Sequence, residues 1–82
     1  MDKFVILFGG VMDSFEAERP EEGAMRCKLL MQTLKAEGYK DYSKTVGNVI
    51  KSAKNGASCD YLFSKIQTLF FSFMKMLQAN KA

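Results

Sequence analysis

Apolar and polar positions divide the chain into four stretches with different periods. The first is a continuous apolar run, Phe4-Val5-Ile6-Leu7-Phe8, followed by Gly9-Gly10 and then Val11-Met12-Asp13-Ser14-Phe15. Gly-Gly between two β-prone runs signals a two-residue hairpin, because the favoured primed turns need positive φ. With the glycines as the loop, Phe8 faces Val11, Leu7 faces Met12 and Phe4 faces Phe15. One face then carries Phe4, Ile6, Phe8, Val11 and Phe15, with Asp13 a misfit opposite Ile6. A single strand followed by a loop is the alternative, and a β-hairpin over residues 3–16 is the expectation.

Downstream the period changes to that of a helix. Pro20 suits a first helical turn, since its missing N–H would be unpaired there anyway, and Glu21 and Glu22 complement the positive end of the helix dipole. The pattern predicts a helix over residues 20–37, closed by Gly38. It has two apolar stripes, Cys27, Leu30, Met31 and Leu34 on one side and Met25, Leu29 and Ala36 on the other. Two stripes imply a helix held between two layers, the hairpin covering one and the later helices the other. A second helix is expected over residues 42–54, with Val46, Val49, Ile50 and Ala53 as its apolar face, stopped by Asn55-Gly56. Gly47 inside it costs about 1 kcal/mol relative to Ala, which implies a close helix contact or a kink. A third helix over residues 58–79 opens with Ser58 as N-cap and Asp60 in its first turn. Its apolar arc holds Leu62, Phe63, Ile66, Leu69, Phe70, Phe73, Met74, Met76 and Leu77, and Phe71 projects from the polar arc.

These elements predict an α+β domain, mostly helical, with an N-terminal hairpin packed on three helices. The 82 residues leave room for one domain, 1–82. An apolar fraction of 48% excludes a disordered chain. Seven Phe and six Met with no Trp are unusual for this length, and four of the Phe fall between Phe63 and Phe73. Charge is unevenly distributed: residues 1–22 hold two basic and six acidic groups, residues 23–82 ten basic and three acidic. The basic portion suits a polyanion, although lysines also simply solvate exposed helix faces.

The chain has no His, which removes imidazole as a base, a metal ligand or a pH switch and makes a Ser-His or Cys-His pair impossible. Cys27 and Cys59 form no C-x-x-C and no metal-ligand spacing, so both are expected to be small apolar groups in a reducing compartment. Gly9-Gly10 is no phosphate loop. No catalytic residue, cofactor or metal is expected. The N-terminus lacks the basic region and cleavage site of a signal peptide, and the uncharged run Ile66–Met74 is far short of the roughly 20 residues of a membrane span. The expected location is cytoplasmic.

Two binding functions follow. The first is a non-enzymatic protein-interaction module that self-associates, as a homodimer or higher oligomer, through Phe63, Phe70, Phe71, Met74 and Leu77. Such a module would act as a small regulator or inhibitor of a larger macromolecule, of the kind that phages and mobile elements encode. The second is a helix-turn-helix regulator in which Lys44 and Lys51 reach phosphates and Thr45 and Asn48 reach base edges. The stretch Leu34–Lys51 resembles that motif. It departs from it in the long connection Gly38–Tyr42, in Leu34 where a small residue is preferred, and in having no arginine on the recognition helix.

Overall fold

The computed structural model describes residues 3–79, and every element among them is an α-helix. The helices are α1 (Lys3–Glu16), α2 (Pro20–Ala36), α3 (Lys40–Lys54) and α4 (Cys59–Ala79). The expected N-terminal hairpin is therefore wrong: residues 3–16 form a helix, with Gly9 and Gly10 inside it. The reason lies in what the segment can bury. Phe4, Phe8, Val11 and Phe15 recur at helical spacing, and all four are at most 3% exposed. The same winding moves Asp13, the misfit of the hairpin pairing, and Ile6 to the solvent side together. An isolated two-stranded hairpin is marginal at best, whereas a helix satisfies its own backbone and presents one apolar stripe. That burial outweighs a cost of about 1 kcal/mol for each interior glycine.

Contacts run in opposite directions along each neighbouring pair. Phe15 lies against Gly23 while Lys3, at the other end of α1, pairs with Glu37. Met31 of α2 receives the Ser43 hydroxyl on its carbonyl at 2.9 Å, and Ala24 shares a hollow with Lys54. Phe4 and Phe8 meet Phe73 and Phe70, and Tyr42 meets Phe73. The molecule is an up-down-up-down four-helix bundle, 40 × 19 × 17 Å, in which α1 packs on α2 and α4, and α3 packs on α2 and α4.

Three helices stop in the same way. At the end of α2 the Tyr39 N–H donates to Leu34 O and the Gly38 N–H to Lys35 O, with Gly38 at φ 91°. At the end of α3, Ala57 donates to Ser52 O and Gly56, at φ 86°, to Ala53 O. At the end of α1, Arg19 donates to Ser14 O and Glu18 to Phe15 O, with Glu18 in the left-handed region at φ 57°. These are Schellman closures, and they keep the three connections short enough to fix the antiparallel arrangement. At the start of α4 the Ser58 hydroxyl accepts the Tyr61 N–H at 3.2 Å, as the capping pattern predicts.

The core is drawn from all four helices rather than concentrated in α4. Its fully buried members include Phe8, Val11, Phe15, Cys27, Leu30, Leu34, Val46, Leu62, Ile66 and Phe73. Phe73 is the hub of an aromatic cluster at one end of the bundle, with ring centroids 5.0–5.7 Å from Phe4, Phe8, Tyr39 and Tyr42. The layered placement expected for α2 is not found. Its second stripe is uncovered, with Met25 75% and Leu29 54% exposed.

Candidate functional site

Two outer faces carry the residues singled out from the sequence. On the α1/α4 face, Phe63, Phe70, Met74 and Leu77 are half-buried and Phe71 is 62% exposed. Because residues 3–16 form a helix, α1 covers much of the α4 arc: the Phe8 and Phe70 rings meet at 5.2 Å. What remains in solvent is narrower than the sequence implied, a single large ring beside a row of half-covered side chains. Phe71 leans on Phe70, their centroids 5.9 Å apart. On α1, Val5, Gly9 and Met12 are half-buried and follow one another at helical spacing on the α4 flank. A Cβ at Gly9 would meet nothing within 4 Å, so the space above this glycine is open.

On the α2/α3 face the structure divides the residues proposed for nucleic acid. Lys44, Asn48 and Lys51 line one groove together with Met31, Gln32, Lys35, Ser43 and Gly47. Thr45 lies on the opposite flank of α3, in a hollow shared with Tyr61, Ser64, Thr68 and Ser72 of α4, and its hydroxyl donates to Asp41 O at 3.1 Å. The groove continues past Met31 to Met25, Lys28, Ile50 and Lys54. Gly47 lies on its floor: a Cβ there would sit 3.3 Å from Met31 Sδ, the close helix contact that an interior glycine predicts. Lys28, Gln32, Lys35 and Lys54 are the members that sequence reasoning missed. The available signal was that Lys28/Lys35 and Lys44/Lys51 share an i, i+7 spacing, which an antiparallel pairing sets side by side.

The α2–α3 pair is not a helix-turn-helix. That motif sets its helices at about 90–120° across a short turn, so their contacts fade away from it. Here the two helices touch from Ser43 and Met31 near the turn to Lys54 and Ala24 at the far end, as an antiparallel hairpin.

Ion pairs lie away from the lysine groove. Glu22 receives Arg26 at 3.0 Å and Arg19 at 3.5 Å, and Glu37 pairs with Lys3. Cys27 is fully buried, and burial pushes its thiol up to about 12, far from the range of a reactive thiolate. Cys59 is half-buried at the start of α4, and the two thiols are unbridged. Among the described residues no cluster of three Cys, Asp or Glu could hold a metal, and no helix is long and apolar enough to cross a membrane. No protein-family model, curated protein or solved structure matches this chain.

Proposed function

We propose that the protein is a non-enzymatic interaction module that pairs with a second copy of itself across the α1/α4 face and acts as a small regulator of a larger macromolecule. The observation that carries this is Phe71, 62% exposed on a helix whose neighbouring Phe63, Phe70, Met74 and Leu77 are already half-covered. A large ring in water at the edge of an apolar row is the kind of anchor that interfaces bury. The open space over Gly9 favours a second copy over an unrelated partner. A two-fold interface needs a surface complementary to itself, and this face offers a projecting ring on α4 and a gap on α1. Space for a side chain is open at Gly9 within one chain, and a ring docking from a partner helix would fill it.

Light scattering at tens of micromolar tests the reading. The expected result is a dimer for the wild type and a monomer of unchanged helicity for Phe71→Glu. A wild type that remains monomeric at that concentration overturns it.

A further inference from the structure

We propose that the groove between α2 and α3 binds the phosphate backbone of double-stranded nucleic acid without reading its sequence. Five lysines, Lys28, Lys35, Lys44, Lys51 and Lys54, line the two hollows that form it, and no carboxylate does. Among the described residues none of the five ammonium groups has a carboxylate within 4 Å, and the same holds for Lys40, Lys65 and Lys75, whereas Lys3, Arg19 and Arg26 are paired. Glu21 is the nearest break in the pattern, sharing a separate hollow with Lys54 at the far end. Met31 packs against Ser43 and Gly47 in the middle of the groove, with Lys35, Lys44 and Lys51 lining one hollow beside it and Lys28 and Lys54 the other. Along each helix the paired lysines, Lys28 and Lys35 on α2 and Lys44 and Lys51 on α3, stand about 10 Å apart, from seven residues at 1.5 Å each. Like charges gathered this way repel one another and add nothing to the bundle, and a polyanion removes that repulsion while releasing its own counterions.

The lining selects among polyanions. Gln32 and Asn48 place exposed amide donors between the lysines of their own helices, suited to phosphate oxygens. No aromatic ring lines the groove, so a single strand would find no platform on which to stack its bases. A lipid surface would require a row of apolar side chains to insert between the lysines, and Met25 at one end is the groove's one exposed large apolar residue. A rigid double-stranded backbone needs neither feature. This proposal does not rest on self-association, since the groove is lined by α2 and α3 and Phe71 stands on α4.

The test is fluorescence anisotropy with two labelled 20-base-pair DNA duplexes of unrelated sequence, titrated between 50 and 300 mM NaCl. Affinity for the two duplexes should agree within about threefold and fall with salt at a log–log slope of about −4, the value for four to five phosphate contacts. The variant Lys44→Glu/Lys51→Glu should lose about tenfold or more and flatten the slope by about two. Lys65→Glu/Lys75→Glu on α4, with the same change in net charge, should stay within about twofold. Equal losses in the two variants would show a bulk-charge effect and overturn the proposal. So would the absence of duplex binding at 50 mM salt, or tighter binding to a single strand or to anionic phosphatidylglycerol vesicles. Light scattering on the same samples follows oligomeric state separately, so a failure of the dimer reading and a failure of this one are read from different instruments.

Discussion

Phe15 lays its ring against the backbone of Gly23, so closely that a Cβ built on Gly23 would stand 2.3 Å from the ring Cε1 and 2.6 Å from Cδ1. The contact joins the end of α1 to the first turns of α2, and both partners are buried. Phe15 is 1% exposed and has no free space into which to retreat. Gly23→Ala is therefore expected to destabilise the protein by about 1–3 kcal/mol, overpacking outweighing the gain of about 1 kcal/mol in helix propensity. Gly9→Ala, with open space at its Cβ, is the matched control and should stabilise the single chain by up to about 1 kcal/mol. Urea unfolding of the two variants, monitored by circular dichroism, gives opposite shifts in midpoint if the contact is as described.

Phe73 ties three parts of the fold together through its ring. It is fully buried and meets Phe4 and Phe8 of α1, Tyr39 of the α2–α3 connection and Tyr42 of α3. Truncation would leave a cavity shared by elements that cannot collapse toward one another independently. Phe73→Ala should cost about 3–5 kcal/mol, enough to unfold a domain this small near physiological temperature. Phe73→Leu, which keeps most of the volume but loses the edge-to-face contacts, should cost less and leave a measurable thermal transition, lower by about 4–8 °C per kcal/mol.

Much of this architecture is visible in the residue pattern, and the part that is not has an identifiable cause. Pro20, Gly38, Gly56 and Ser58 mark α2, α3 and α4 within a residue or two, because caps and left-handed stops depend on local backbone chemistry. The first segment was ambiguous because Phe4, Phe8, Val11 and Phe15 fit both a helical stripe and a paired strand face, and short apolar runs do not separate the two. Packing decided it: Phe70 and Phe73 need a cover, and a helix brings Phe4 and Phe8 onto them together. The lysine groove was half visible for a related reason. Lys44, Asn48 and Lys51 share one helix face, but Lys28, Gln32 and Lys35 join them through the register of α2 against α3, which no single helix pattern contains.

Glu18 occupies a position where glycine stands in the other two closures, at φ 57°. A side chain in the left-handed region costs roughly 1–2 kcal/mol, and Glu18 is exposed, with no contact that offsets it. Glu18→Gly relieves that strain and gives back part of the gain through a more flexible unfolded chain. The expected net is a stabilisation of about 0.5–1 kcal/mol, read as a rise in thermal midpoint. A fall would show that the carboxylate at this turn contributes more than its backbone costs.

Cys27 links the core to pH with a definite sign. Its thiol is pushed from 9.0 up to about 12 by desolvation, because the neutral form suits the apolar interior and the thiolate does not. Below about pH 8 the thiol is protonated in both folded and unfolded chains, and the stability from burying it is fully present. As pH rises through 9 toward 12, the unfolded chain gives up this proton and the folded chain keeps it, so stability falls. Between pH 8 and pH 11 the loss attributable to this group is about 2–3 kcal/mol, at 1.36 kcal/mol for each pKa unit. The measurement is a difference, so that everything common to both proteins cancels: the stability gap between wild type and Cys27→Ala should narrow by this amount over the range. A gap independent of pH would mean that the folded thiol ionises as readily as the unfolded one. Thiol labelling gives a second check at pH 8, where half-buried Cys59 should react in the folded protein and Cys27 only at the rate of unfolding.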